Sequence, residues 1–300
     1  MKREKPALLS FGEVLWDVVG KTEHIGGAPL NLAAHAARLG LPAHLYSRIG
    51  RDERGTKARE IVRGFDVGDV WLSEDPERPT GWVDVVLDEK GEPTYSIPEG
   101  VAWDAIPAPQ GEIAKEIERA GIDALYFGTL SQRGELSRAA LAELRLALPG
   151  ALVFYDVNLR PPYTSLHLVR ESLAKVGILK VNHEELPALG KYFWGKSLEA
   201  EAAFERWHTE FGVKLLLVTM AGDGCFAITP DEKVRVAGLP TNVVSAVGAG
   251  DAFSAAFLAG RLAGRSLRAC AEMANRLGAL VASSPEAVPL YTAEALVAAD

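Results

Sequence analysis

The feature that most constrains this chain is a rhythm. Short apolar runs of β-forming residues recur at 7–12, 43–49, 124–127, 152–157, 178–181 and 214–219. Between them lie segments with helical periodicity, at 28–39, 54–63, 135–147, 166–175, 198–211, 249–263 and 267–283. Apolar strands separated by helices imply right-handed crossovers and a mostly parallel central sheet with helices on both faces. The predicted class is therefore α/β, and no linker or repeat divides residues 1–300 into more than one domain.

Two segments depart from the rhythm. Residues 17–26 are short and polar. Residues 80–87 and 94–97 read as strands joined across the turn Asp88-Glu89-Lys90-Gly91, with Trp82, Asp84, Val86 and Asp88 alternating against Val83, Val85 and Leu87. We expect a small antiparallel β insertion contributed by about 14–26 and 79–103. It is either a lid that excludes water from a substrate or a decorative hairpin.

A net charge of −8 and the lack of any dense basic run argue against nucleic acid or an anionic membrane as partner. No apolar run approaches the length of a membrane span, and the apolar stretch after Met1 is broken by Glu13 and Asp17, so no signal peptide is expected. Cys225 and Cys270 have no metal-site spacing and fit core positions in a reducing, cytoplasmic setting.

Any phosphate site must then be local, and one segment offers it. Gly248-Ala249-Gly250-Asp251 leads directly into an apolar helical run. Free N–H groups and the dipole at such a helix start attract anions, and the glycines allow close approach. Asp251 would either complement the dipole or orient a hydroxyl for phosphoryl transfer.

Other candidates follow strands, where open α/β sheets bind ligands. Asp17, Gly26, Gly27 and Asn31 flank the first helix; Asp and Asn suit vicinal hydroxyls, although a plain turn explains the glycines as well. Asn158 and Arg160 precede Pro161-Pro162, and Arg160 either clamps phosphate or forms a surface ion pair. Asn182 and Glu185 either order a hydrated cation or make a helix cap.

Several of these motifs occur together and in order. Gly26-Gly27-Ala28-Pro29-Leu30-Asn31, Gly248-Ala249-Gly250-Asp251, Gly12-Glu13-Val14-Leu15-Trp16-Asp17, Ser47-Arg48-Ile49-Gly50, Pro79-Thr80-Gly81, Asp156 to Pro162 and Asn182-His183-Glu184-Glu185 resemble the ribokinase-like (phosphofructokinase-B) carbohydrate kinases nearly end to end. Trp16-Asp17, Gly-Gly-Ala-Pro and Ala102-Trp103-Asp104 are most similar to bacterial fructokinases. The resemblance implies ATP as donor, Mg²⁺ held through water by Glu185, and a small-molecule sugar as acceptor. It implies sugar contacts from Asp17, Gly26, Gly27, Asn31, Trp103 and Asn158. Asp251 would be the base in the catalytic loop that Gly248 opens, with an anion hole from the N–H groups of Ala249, Gly250 and Asp251, and Arg160 would screen the transferred charge. Asn182, Thr219, Gly222, Gly224 and Asn275 would serve the nucleotide, and a homodimer would form through the lid.

Some positions depart from the family pattern. Ser245 and Ala246 stand where an Asp-Thr pair is usual, which counts against an activating potassium site. Ala221 replaces a glycine, Trp82 replaces a small lid residue, and Ser284 and Glu286 fall in a stretch that usually carries Arg and Gly. The expected activity is fructose phosphorylation. The alternatives are a kinase for 2-keto-3-deoxygluconate or a nucleoside, and a sugar-binding protein without turnover.

Overall fold

A computed structural model describes residues 5–87 and 93–296. The turn expected at 88–91 lies outside these residues, as do the side chains of Val85, Val86 and Leu87. The chain runs β1 (Leu8–Phe11), β2 (Leu15–Val19), β3 (Thr22–Gly26), α1 (Ala28–Arg38), β4 (Ala43–Gly50), α2 (Glu53–Gly64), β5 (Leu72–Asp75), β6 (Gly81–Leu87) and β7 (Pro93–Ser96). Then come α3 (Glu112–Ala120), β8 (Ala124–Gly128), α4 (Glu135–Ala147), β9 (Leu152–Asp156), α5 (Leu166–Ser172), β10 (Ile178–Asn182), α6 (Glu185–Trp194) and α7 (Ala200–Phe211). The last elements are β11 (Leu215–Thr219), β12 (Cys225–Ile228), β13 (Lys233–Val236), α8 (Ala249–Leu262) and α9 (Leu267–Ala282).

Nine strands form the main sheet in the order β13-β12-β11-β10-β9-β8-β1-β4-β5. From β11 to β5 every neighbour is parallel, as the alternation predicts; β12 and β13 add an antiparallel edge. Successive side chains on a strand face opposite sides, so a strand buried on both faces must be apolar throughout. Strand β8 shows this: Leu125 and Phe127 join the core under α4, α5 and α7, whereas Ala124 and Tyr126 join the core under α1, α8 and α9. Cys225 and Cys270 are buried free thiols, as expected of core positions.

Four features escaped the sequence pattern. Strand β5 is a four-residue edge strand ending in Glu74-Asp75, too short and polar to register. The β12–β13 hairpin sits on the other edge, with Lys233 and Arg235 exposed, a charged edge that discourages further pairing. Helix α3 buries only Ile117 among its residues, and α6 carries Pro187 in its first turn, where the missing N–H costs nothing.

The second sheet has the order β3-β2-β6-β7. It consists of two antiparallel hairpins joined by a parallel β2–β6 seam that puts Trp16 opposite Trp82. Asp52, the cap of α2, fixes its base: the carboxylate accepts from Gly55 N at 2.7 Å, Thr80 N at 2.8 Å and Thr80 Oγ1 at 2.7 Å. Arg54 adds an ion pair to Glu23 at 2.6 Å and stacks over Trp82 at 5.5 Å. The insertion is thus tied to the edge on which the strands end.

Candidate active site

The carboxyl ends of β1, β9, β10 and β11 and the start of α8 meet on one edge of the sheet. Gly248 takes φ +79°, the left-handed conformation that glycine adopts without strain, and a Cβ there would lie 2.8 Å from the Ala287 carbonyl oxygen. That turn starts α8 so that its first N–H groups face the edge. One expectation needs correcting. Ala249 N–H is engaged by Ala246 O at 3.3 Å, so the donors left in the first turn are Gly250 and Asp251.

Asp251 accepts a hydrogen bond from Asn31 Nδ2 at 2.9 Å, across 220 residues of sequence. Burial, reinforced by the charge of Asp156, pushes its carboxyl up to about 7, against the pull of Asn31, Lys180 and Arg160. Under the same turn lies an ion pair that the sequence reading did not single out. Lys180 Nζ is 2.9 and 2.8 Å from the two Asp156 oxygens, with both residues buried. Its Nζ would lie 3.6 Å from a Cβ placed on Gly250, which puts a cation directly beneath the anion-attracting turn. Ser254 Oγ and Tyr126 OH also donate to Asp156, at 3.3 and 3.4 Å. Burial works against the Lys180 ammonium, but Asp156 more than offsets it and Lys180 remains protonated.

The second half of the site comes from β2, β3 and the start of α1. Asp17 lies over Gly26, whose Cβ would fall 2.7 Å from Asp17 Oδ2. Burial raises the Asp17 carboxyl, while His24 and Arg160 lower it. Gly27 has φ +110° and ψ 123°, a region L side chains rarely enter, and a Cβ would sit 2.4 Å from Glu13 O. We therefore expect Gly27→Ala to cost about 2 kcal/mol or more of stability, from strain and collision together, and to weaken ligand binding at this turn. Thermal unfolding would show it as a fall of a few degrees in Tm.

Glu13 was quoted from the sequence only as part of a motif, yet it is central here. Its side chain is 4% exposed, and Oε2 has no hydrogen-bond partner. Burial pushes it up to about 7, with the Asp251 charge adding to the push and Arg160 opposing it.

Arg160 is exposed at the end of β9, and its charge reaches Glu13, Asp17 and Asp251 alike. Asn158, two residues before, holds φ +41°, a left-handed conformation Asn tolerates better than most residues. Asn182 and Glu185 form the reciprocal cap that was one of their two readings. Asn182 Oδ1 accepts from Glu185 N at 2.8 Å, and Glu185 Oε2 accepts from Asn182 N at 2.8 Å. Glu185 Oε1 also accepts from Leu159 N at 2.7 Å, so this acid binds the Asn158–Arg160 loop to α6.

Trp103 is not where a sugar would touch it. It is fully buried, with Arg133 stacked at 4.1 Å, and it fills the space below Gly81 at the lid base. Thr219 ends β11 opposite Asn182, and Gly222 and Gly224 form the turn that follows. Asn275 on α9 donates to Ala237 O at 3.1 Å and so closes the same side.

Of the departures noted in the sequence, Ser245 and Ala246 lie in the loop before α8, and Ser284 and Glu286 follow α9. Val244 N donates to Ala282 O at 2.8 Å, tying the loop of Ser245 and Ala246 to the end of α9. Buried His35 bonds Tyr291 OH and Ala287 O, both at 2.9 Å, which fixes the stretch packed on Gly248. Glu286 is exposed.

Residues 3–293 match the profile of the pfkB family carbohydrate kinases. The chain is 31% identical to "Probable fructokinase-2" of Arabidopsis thaliana over 95% of its own length and 92% of that protein. It superposes on a fructokinase with bound ATP from Xylella fastidiosa with TM-score 0.84, at 22% identity over 94% of each chain. A fructokinase of Vibrio cholerae in a fructose, ADP and calcium ion bound form gives TM-score 0.76, at 23% identity and 94% coverage of each.

Proposed function

The chain belongs to the pfkB family of carbohydrate kinases, and from that premise we propose that it transfers the γ-phosphoryl group of ATP to a primary hydroxyl of fructose. The observation that carries this reading is the Asn31–Asp251 hydrogen bond. It joins the turn built for an anion to the turn lined by Asp17, Gly26 and Gly27, so that a phosphate and a polyol would meet at one carboxylate. The likeness to Arabidopsis "Probable fructokinase-2" supports fructose as the acceptor.

In this reading Asp251 orients the attacking hydroxyl and takes its proton late, because a loose transition state needs little early deprotonation. The N–H groups of Gly250 and Asp251 receive the developing charge at the start of α8, and Arg160 screens it from the open side. Thr219, Gly222, Gly224 and Asn275 would border the nucleotide.

The site fits Mg²⁺ only as a hydrated ion brought with the nucleotide. Among the described residues no group of three acidic, His or Cys side chains could enclose a metal. Asp156 is bound by Lys180, and each oxygen of Glu185 already accepts a backbone N–H. Glu185 retains further lone pairs and would hold the ion through water, as an ion reluctant to dehydrate requires. When bound, Mg²⁺ neutralises phosphate charge.

A coupled ADP-release assay across fructose, ribose, 2-keto-3-deoxygluconate and a nucleoside tests the proposal. We expect kcat/KM for fructose to exceed the others by about tenfold or more, the discrimination a few well-placed polar contacts provide. A preference for another acceptor refutes the fructose assignment, and an absence of turnover on every sugar refutes catalysis.

A further inference from the structure

Glu13 is a buried acid on this edge for which the mechanism has no use. It follows β1, which lies between β8 and β4 in the main sheet, and is separated from β2 by a single residue. The backbone N–H groups of Glu13 itself and of Ala28 favour the charged form of its carboxyl. Its Oε2 is nonetheless buried without a hydrogen-bond partner. An unpaired carboxyl oxygen excluded from water is costly, and a folded protein keeps such a group where a ligand satisfies it.

The surroundings say which ligand. Glu13 packs against Gly27: a Cβ there would lie 3.5 Å from Glu13 Cγ. The charges of Asp251 and Arg160 both act on its carboxyl, and Arg160 acts on Asp17 as well. Glu13 is therefore packed against the hydroxyl-binding turn and lies within electrostatic reach of the proposed base. An anion is disfavoured beside the acids Asp17 and Asp251, and among the described residues no group of three acidic, His or Cys side chains could hold a metal. A hydroxyl, which donates one hydrogen bond and accepts two, matches this oxygen.

Resting on the kinase reading, we propose that Glu13 is a specificity-determining residue: its Oε2 accepts a hydrogen bond from a hydroxyl of the acceptor sugar adjacent to the one attacked. The bond fixes the sugar's rotation in the site and so brings the attacking hydroxyl to Asp251. An acceptor lacking that hydroxyl leaves the carboxyl oxygen unpaired again. Sites built around a buried polar partner reject such analogues strongly.

The test separates binding from turnover. Calorimetry with fructose and a series of monodeoxy-fructoses is run on wild type, Glu13→Gln and Glu13→Ala, with thermal unfolding confirming that each is folded. Gln keeps the shape and a hydrogen-bonding group, so it remains interpretable if Ala does not fold. We expect Glu13→Ala to weaken fructose at least about tenfold and Glu13→Gln by less, with ATP affinity changed less than about twofold, as loss of one buried hydrogen bond predicts. One monodeoxy sugar that binds wild type poorly should bind Glu13→Ala no worse than fructose does. If fructose binds all three proteins alike, or if the deoxy series keeps its ranking in Glu13→Ala, the assignment fails even with normal phosphoryl transfer. If Glu13-dependent binding is present but no ADP is released, the kinase reading fails and the Glu13 assignment stands.

Discussion

Asp251→Asn lowers phosphoryl-transfer turnover by roughly 10²–10⁴-fold, the usual contribution of a positioned general base. Sugar affinity should stay within a few-fold, because the amide still accepts from Asn31 Nδ2 and fills the same space. A second readout comes from protonation. The folded carboxyl is pushed up to about 7 from 3.8, chiefly by burial. Between those values the folded protein binds a proton that the unfolded chain has released, so this group makes stability fall as pH rises from about 4 to about 7. Replacing it with Asn removes that penalty. The variant should therefore melt above wild type at pH 8, and the difference should vanish near pH 4. Wild-type kcat/KM should rise with pH below about 7 and then level off, and because Glu13 titrates in the same range beside Asp251, the inflection belongs to the pair. Coupled ADP release and thermal unfolding across pH measure both effects. A retained rate in Asp251→Asn would remove the base from the mechanism.

The residues legible in the sequence were those whose role is local. The apolar runs of β8, β9 and β10 could hardly be anything but buried parallel strands, and Gly248 to Asp251 carries its chemistry in four consecutive positions. Asn31 and Asp251 were both visible, but the bond joining them depends on α1 packing against α8. Lys180 and Glu13 stayed hidden for the same reason. Within Ile178-Leu179-Lys180-Val181-Asn182 a lone lysine looks like an outward position on a strand. It is buried with Asp156 only because β10 lies beside β9, pairing Lys180 with Asp156 in register. A single acid after β1 gives no pattern at all, and its meaning appears when β2, Gly27 and Arg160 surround it. Asn182 and Glu185 show the opposite case: the cap and the polar edge are the same atoms, so spacing alone had no means of choosing. Trp103 was placed at the sugar by the family resemblance alone, and its burial follows from Gly81, whose lack of a side chain leaves room for the indole. The short edge strands escaped because edges must be polar, which erases the periodicity that identifies strands.

Lys180→Met should be the most damaging single change outside the reacting groups. Methionine matches the lysine stem in size, so packing survives, but the Asp156 carboxylate is left buried at 1% exposure without its counter-ion. Breaking a buried pair in this way costs about 3–5 kcal/mol. The double variant Asp156→Asn with Lys180→Met should recover most of the stability, since no unpaired charge remains. Function separates these proteins further. Lys180 lowers the Asp251 carboxyl and Asp156 raises it. Removing the lysine alone shifts the rising limb of the pH–rate profile to higher pH, and removing both charges moves it back toward wild type. A purely structural pair would lower Tm without moving that limb. If the profile of Lys180→Met superposes on wild type, the cation under Gly250 has no part in setting the charge on Asp251.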